Sequence, residues 1–308
     1  MGDRYLVFGF VIDSQIPLPE AYPAPRSAPV DVTVRFGRAG DGFTADDAFD
    51  SARDKKTWWQ SMMGENSTLF NCPSGLYDIK NGNEVTVQLY PDADMEIAKI
   101  YLLGSALGAV QVQRGRIPVH GGAILTSNGA MIITGRQGAG KSTMTSAFVH
   151  NGYKYLTDDV SSVSIEGDKA HVYPAYPQRK LVRDACAPLG YDPNDLILVD
   201  GNRDKLAVRD KENWAGGPAK LWAVAELYPA PDSAVVSATL ITGHEKLDYI
   251  ARNIYRMWMH TPGGAIKPEV FKKILTVAAG AQIFKVAVPR DIERITNIAS
   301  DIAVALEI

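Results

Sequence analysis

A chain of 308 residues, 46% of them hydrophobic, can bury a sizeable core, in one large domain or in a core domain with a smaller partner. Its net charge of −3 gives no overall attraction to nucleic acids or anionic membranes. Cys72 and Cys186 are its only cysteines, too few for a disulfide framework or a cysteine-based zinc site. We therefore expect reduced thiols and a cytoplasmic protein. We find no apolar run of the roughly eighteen residues that a membrane span needs, and residues 5–12 are too short for a signal peptide.

The N-terminal part of the chain has the alternation of half-buried β-strands. Apolar and polar residues alternate in 30–36 and in 84–89, which is the period of a strand with one buried face. Asn81 and Gly82 lie between two such runs, and both tolerate the positive φ angles of a tight hairpin turn. These patterns predict a β-rich N-terminal domain of residues 1–91.

From residue 92 onward, strand patterns alternate with helix patterns. This alternation predicts an α/β nucleotide-binding core over residues 92–308, with its phosphate loop at the carboxyl edge of the sheet. We predict strands at 117–126, 130–134, 160–166, 170–173, 221–227 and 282–288. We predict helices from about 100 to 114 and at 142–150, 180–189, 245–259, 268–279 and 292–306, with loops filling the rest of 174–217.

One stretch fits every fixed position of the phosphate-loop pattern G-x-x-x-x-G-K-[ST], with a strand pattern before it and a helix pattern after it. Glycines allow backbone N–H groups to close around phosphate oxygens, and the helix N-terminus adds about half a positive charge. The alternative is a glycine turn before an ordinary helix. In the phosphate-loop interpretation, Lys141 reaches the β- and γ-phosphates and Ser142 reaches a Mg²⁺ ion. The predicted nucleotide-binding residues are Gly135, Arg136, Gln137, Gly138, Ala139, Gly140, Lys141, Ser142 and Thr143.

Asp158 and Asp159 follow the next apolar strand after this loop. In phosphate-loop proteins an acidic residue at this place can reach the magnesium ion that the phosphates share. Two adjacent aspartates can divide the work, because one holds the metal while the other takes the proton of an acceptor hydroxyl. The alternative is an ordinary acidic turn.

Three motifs in this order resemble the core of the HPr kinase/phosphorylase family: His120-Gly121-Gly122, the phosphate loop, and the aspartate pair after Leu156-Thr157. The resemblance covers about residues 119–163. It implies a fold like that of phosphoenolpyruvate carboxykinases and an ATP-dependent protein or peptide serine kinase. It further implies that Asp158 is the general base, that Asp159 and Ser142 bind Mg²⁺, that His120 lies beside the phosphates, and that copies assemble into homo-oligomers. By itself, His120 would more often be a structural histidine.

The chain departs from the family in two places. Thr143 stands where the family has a glutamate, and the glycine-rich signature of the family's phosphorylase and HPr-docking region is not found. HPr as the acceptor and the reverse phosphorylase reaction therefore stay open. Residues 8–10 and 16–20 resemble the opening of HPr-kinase-like proteins of lasso-peptide biosynthesis, which phosphorylate the C-terminal serine of a precursor peptide.

Basic residues between 179 and 209 are candidates for neutralising the transferred phosphoryl group or binding an acceptor carboxylate. We rank Arg203 and Lys205 first, because they lie in a turn-rich stretch that can fold over the nucleotide. The alternative is a solvated loop of mixed charge.

The main hypothesis is a kinase that uses ATP and Mg²⁺ and whose partner is a serine-containing peptide or protein, with neither a nucleic acid nor a membrane as partner. A slow nucleotide-hydrolysing switch is the alternative from another class. A kinase of free serine is the third. We find no guanine-recognition element of the form Asn/Thr-Lys-x-Asp, which argues against a GTPase.

Overall fold

A computed structural model describes residues 2–40, 61–64, 66–200, 204–232, 234–261 and 265–308. The chain divides into two units, one of Met1–Arg116 with Trp258–Lys267, and one of Ile117–Met257 with Pro268–Ile308. The sequence pattern places the domain boundary near residue 92, at the start of a helix. The structure divides the chain after that helix.

The first unit is built on an eight-stranded mixed sheet in the order β3-β1-β2-β4-β8-β7-β6-β5. The two alternating segments of the sequence form its central strands, which pair in parallel. Asn81 and Gly82 make the predicted turn between β7 and β8, with φ angles of 54° and 65°. The strands are β1 (Asp3–Val7), β2 (Phe10–Ser14), β3 (Tyr22–Pro23), β4 (Val32–Phe36), β5 (Ser61–Met63), β6 (Ser67–Cys72), β7 (Gly75–Lys80) and β8 (Glu84–Leu89).

A helical segment packs on this sheet. It consists of α1 (Met95–Tyr101), a π-helical turn (Leu102–Ala106) and α2 (Leu107–Gln113). Tyr77 Oη donates a hydrogen bond of 2.9 Å to the carbonyl of Ala98. Strand β7 thereby holds the helix to its own sheet, which explains why the helix belongs to the first unit.

By length and composition, Met95–Gln113 could cross a membrane, and 61% of the 18-residue window is buried inside the protein. The sequence pattern predicts no membrane span here, because Glu96 and Lys99 interrupt the apolar run. The helix includes both charged residues. Lys99 Nζ lies 2.7 Å from Glu96 Oε2, so the two charges pair one turn apart.

The second unit contains an eight-stranded mixed sheet, ordered β10-β9-β12-β13-β17-β19-β18, with β11 also paired to β9. Strands β10, β17 and β19 are mutually parallel, so their carboxyl ends lie at one edge. The strands are β9 (Ile117–Thr126), β10 (Gly129–Gly135), β11 (Lys154–Thr157), β12 (Val160–Glu166), β13 (Lys169–Tyr173), β17 (Ala219–Ala230), β18 (Ser237–Ile241) and β19 (Gln282–Pro289).

Helices cover both faces of this sheet. Along β10, Met131 and Ile133 pack in one core with helices α3 and α6, while Ala130 and Ile132 pack in a second core with α4 and α5. Burial on both faces is typical of the strands of α/β proteins, and it confirms the predicted α/β class. The helices are α3 (Lys141–His150), α4 (Glu245–Ala251), α5 (Pro268–Gly280) and α6 (Ile295–Leu306).

The segment predicted as loops with a helix at 180–189 instead contains a three-stranded antiparallel sheet in the order β14-β16-β15. Two 3₁₀ helices, Arg183–Ala185 and Ala187–Leu189, follow β14. Its strands are β14 (Gln178–Val182), β15 (Ile197–Asp200) and β16 (Lys205–Arg209). Leu181, Leu206 and Val208 bury their side chains in the core that contains α3. The predicted α-helix does not form, because residues 180–182 belong to β14 and the residues after them form only the two short 3₁₀ helices. Arg179 is fully buried in the same strand, so an arginine does not mark an exposed face here.

The helix predicted at 245–259 is too long, since α4 ends at Ala251. The next two residues, Arg252 and Asn253, bind other polar side chains instead of continuing the helix. Strand β18 was missed. The other predicted strands and helices of this unit occur, with shifted ends. Cys72 and Cys186 are both buried, and they form no disulfide bond.

Candidate active site

The phosphate-loop motif forms the turn between β10 and α3. Gly135, Gly138 and Gly140 have φ angles of 144°, 79° and 85°, which residues with a side chain rarely adopt. A Cβ at Gly135 would also lie only 2.8 Å from the carbonyl oxygen of Leu227. The N-cap residue of the ten-residue α3 is Gly140, which has no side chain to accept a hydrogen bond from the first turn. The glycines therefore fix a loop whose helix end is not capped by its own N-cap residue, as a phosphate site requires.

Lys141 lies folded over this loop. Its Nζ donates to the carbonyls of Gly135 at 3.0 Å and of Arg136 at 3.2 Å. Burial lowers the pKa of Lys141, and the charge of Lys205 lowers it further. The carboxylates of Asp159 and Asp158 act in the opposite direction. The phosphate-loop lysine and both aspartates thus interact electrostatically in one site.

The residues of the motif differ in exposure. The structure places the predicted nucleotide-binding positions at the surface or partly buried, apart from Gly135. Ser142 and Thr143 are partly buried in the first turn of α3; Arg136, Gln137, Gly138 and Gly140 are exposed, and Ala139 is partly buried.

Asp158 is a buried carboxylate between β11 and β12, with 6% of the residue exposed. Its Oδ2 accepts a hydrogen bond of 2.9 Å from the backbone N–H of Lys180. Its Oδ1 is buried and has no hydrogen-bond partner among the described residues. Burial first, and the neighbouring charge of Asp159 second, raise the pKa of Asp158 to about 6. One oxygen is anchored, and the other is free to accept a proton.

Asp159 has a different environment, with 44% of its side chain exposed. Lys180 Nζ lies 3.5 Å from its Oδ2, and His120 Nδ1 lies 3.7 Å from its Oδ1. Burial acts to raise the pKa of Asp159, but its electrostatic interactions with Lys180, His120 and Lys205 outweigh this effect and hold the pKa below the usual range. The two adjacent carboxyl groups are therefore shifted in opposite directions, which is how enzymes assign different roles to similar groups.

His120 is held in place by its backbone as well as by its neighbours. Its N–H donates to the carbonyl of Asn253 at 2.8 Å, and its carbonyl accepts from Thr134 Oγ1 at 2.7 Å. Burial lowers the pKa of His120. The charges of Lys141 and Lys205 lower this pKa further, whereas Asp159 acts to raise it. The imidazole is thus kept mainly neutral at neutral pH.

The glycines after His120 allow a close approach of β9 to its neighbours. A Cβ at Gly121 would meet the carbonyl oxygen of Ile133 at 2.4 Å, and a Cβ at Gly122 would meet Thr145 Oγ1 at 2.3 Å and the carbonyl oxygen of Asp158 at 3.0 Å. Gly122 therefore lets α3 and the aspartate pair approach the same strand.

We expect Gly122→Ala to destabilise the protein by about 1–3 kcal/mol, because the added methyl group has to push α3 and the Asp158 backbone away from β9. Chemical denaturation measures the free energy of unfolding. Gly217→Ala is the matched control, since a Cβ at Gly217 meets nothing within 4 Å. Equal stability of the two variants would contradict this account of the Gly122 contacts.

The basic residues of 179–209 differ in position. Lys205 opens β16, opposite Val182, and is close enough to affect the pKa of Lys141 and of His120. Arg203 lies outside the described residues. Arg179 is fully buried, and its Nη2 donates to Tyr191 Oη at 2.9 Å and to Asp210 Oδ2 at 2.8 Å. Arg179 is thus bound within the core of the protein.

Sequence reasoning missed a buried polar network at the end of the phosphate-loop strand. Thr134 Oγ1 lies 2.8 Å from Asn253 Oδ1 and shares its one proton between that oxygen and the carbonyl of His120. Asn253 Nδ2 donates to Glu226 Oε2 at 3.0 Å. Arg252 donates twice to the same oxygen, at 2.7 and 3.0 Å. Since the backbone of Asn253 also binds His120, this network ties the loop strand to the strand of the histidine. No spacing in the sequence indicates these partners.

A magnesium ion fits the residues present. Among the described residues, no three His, Cys, Asp or Glu side chains cluster as a metal site of their own. A magnesium ion bound with nucleotide needs only one or two protein oxygens, because phosphates and water supply the rest. Asp159 offers an accessible carboxylate, and Ser142 offers a hydroxyl in the first turn of α3.

Comparison with known proteins gives a distant structural match. No protein-family profile and no curated protein matches the sequence. The structure is similar to that of the Hpr(Ser) kinase/phosphatase from Coxiella burnetii, with a TM-score of 0.32 and 10% sequence identity, over 62% of this chain and 98% of that chain. At this level of similarity, the function has to be argued from the residues of the site.

Proposed function

We propose that this chain is an ATP- and Mg²⁺-dependent kinase that transfers the γ-phosphoryl group of ATP to a serine hydroxyl of a peptide or protein. One observation carries the proposal. Behind a phosphate loop with an uncapped helix, Asp158 is a buried carboxylate with one oxygen anchored and the other unpartnered among the described residues. A module that only binds a nucleotide needs the loop but has no use for such a base.

The loop amides and Lys141 bind and orient the phosphates of ATP. Asp158 Oδ1 accepts the proton of the serine hydroxyl while the serine oxygen forms its bond to the γ-phosphorus. The bond from that phosphorus to the β,γ-bridging oxygen breaks, and ADP leaves. Such in-line transfer depends mainly on positioning and on electrostatic stabilisation.

The other residues of the site keep their charges in place. Asp159 and Ser142 would hold a magnesium ion, which neutralises charge on the β- and γ-phosphates when bound. His120, mainly neutral, lies beside Asp159 and can donate a hydrogen bond to a phosphate oxygen without adding a full charge. Lys205 adds positive potential on the side of β16.

The finer proposal concerns the acceptor. We propose the C-terminal serine of a lasso-peptide precursor as the acceptor, on the resemblance of residues 8–10 and 16–20 alone. HPr and free serine are the competing acceptors, and they require the same phosphate machinery.

The test is mass spectrometry of serine-ended precursor peptides, of HPr and of free serine, each incubated with the protein, ATP and Mg²⁺. A gain of one phosphoryl group on a peptide or protein serine, absent when ATP or Mg²⁺ is omitted, supports the kinase and identifies the acceptor class. Transfer to free serine alone would overturn the peptide acceptor. Slow loss of ATP with no phosphorylated acceptor would favour the nucleotide switch.

A further inference from the structure

One residue outside the phosphate loop contacts both aspartates of the site. Lys180, on β14, gives its backbone N–H to Asp158 Oδ2 at 2.9 Å and its side-chain Nζ to Asp159 Oδ2 at 3.5 Å. The two contacts come from different parts of the residue. They therefore constrain the directions of two carboxylates that would otherwise rotate independently.

The environment of Lys180 suits a fixed contact. Only 15% of its side chain is exposed, whereas 44% of that of Asp159 is exposed. The lysine is thus the more buried partner, and the carboxylate of Asp159 stays accessible. Strand β14 pairs along its whole length with β16: Gln178 lies opposite Arg209 at one end, and Val182 lies opposite Lys205 at the other. Lys180 therefore belongs to a sheet that does not contain the aspartates.

The charge of Lys180 also addresses a specific problem of the site. Asp158 and Asp159 are adjacent carboxylates, and like charges at this distance disfavour ionisation of both. Lys180 Nζ lies 3.5 Å from Asp159 Oδ2 and so places a positive charge beside the acidic pair. Among the described residues, His120 Nδ1 also lies within 4 Å of Asp159, at 3.7 Å from the other carboxylate oxygen.

We propose that Lys180 is a positioning residue: its backbone N–H and its ammonium group set the directions of Asp158 and Asp159, so that β14 and not β11 or β12 aligns the acidic pair. This inference rests on the proposed kinase function for its kinetic consequences. The sequence pattern instead favours Arg203 and Lys205, because both lie in a turn-rich stretch that can fold over the nucleotide.

The kinetic test compares Lys180→Met, Lys180→Arg and the control Lys169→Met, an exposed strand lysine of the same unit. Lys180→Met keeps the backbone contact and loses the ammonium group. We expect kcat to fall roughly 10- to 100-fold, with the nucleotide affinity measured without Mg²⁺ within about twofold, since misalignment affects transfer more than binding. Lys180→Arg keeps the charge and should stay within roughly tenfold of wild type.

A second measurement does not require activity. The measurement is a double-mutant cycle with Lys180→Met and Asp159→Asn, in which each variant's unfolding equilibrium constant is compared with that of the wild type. We expect the fold-change in the double variant to differ at least about twofold from the product of the fold-changes in the two single variants. Absent coupling, or wild-type kcat in Lys180→Met, would overturn the inference. Absence of phosphoryl transfer by the wild-type protein would overturn the proposed function, and the cycle would still decide whether Lys180 orders Asp159.

Discussion

Asp158→Asn should abolish phosphoryl transfer, lowering kcat roughly 10³-fold, within the range of about 10²–10⁴ that general bases contribute. The asparagine has nearly the same shape and can still accept the backbone hydrogen bond of Lys180 through its amide oxygen. It cannot take a proton from a hydroxyl. Nucleotide affinity should stay within about twofold, because the loop and Lys141 contact the phosphates.

The same variant separates catalysis from folding. The pKa of Asp158 is raised to about 6 by burial and by Asp159, so the folded protein disfavours the ionised form that exists at pH 7. Removing this charge should leave the melting temperature unchanged or increase it. Asp168→Asn, in the exposed turn between β12 and β13, is the control and should change neither quantity. Wild-type transfer by Asp158→Asn would remove Asp158 from the mechanism.

The sequence predicts the parts of the site that local pattern determines. The strand β10, the glycine turn and α3 follow one another directly, and the pattern of glycines demands the positive φ angles found there. Asp158 and Asp159 were found because they end a recognisable strand. In each case the residues that decide the structure lie within one supersecondary unit.

The remainder depends on partners far apart in the chain. Lys180 lies 22 residues from Asp158, and Thr134 lies 119 residues from Asn253. No local period connects such residues. Strand β14 adds a second difficulty, because Arg179 is buried against Asp210 while a sequence pattern treats arginine as a surface residue.

The boundary between the two units also depends on contacts between distant residues, which is why it lies after Arg116 and not near residue 92. A change from strand to helix pattern near residue 92 looks like a change of domain, but the helix packs on the strands that precede it. Gln113 Nε2 donates to Thr68 Oγ1 and to the carbonyl of Ile79, both at 3.1 Å. Packing of an apolar helix face is not restricted to the sheet that follows it, so element type alone cannot locate the boundary.

Lys141→Met should lower nucleotide affinity roughly 10- to 100-fold, because a charge-assisted hydrogen bond contributes about 1.5–3 kcal/mol and each 1.4 kcal/mol is tenfold. Without nucleotide, the ammonium group bonds only to the carbonyls of Gly135 and Arg136 among the described residues. Methionine keeps the length of the side chain and removes the charge. We therefore expect binding to fall much more than stability does.

Calorimetric titration with ATP measures the affinity, and thermal unfolding measures the stability. Lys154→Met is the matched control, an exposed lysine on β11 of the same unit, and it should bind ATP as the wild type does. If Lys141→Met also binds ATP like the wild type, the loop does not hold the phosphates through this lysine. In that case the glycine turn would be an ordinary helix start, and the kinase proposal would lose its nucleotide site.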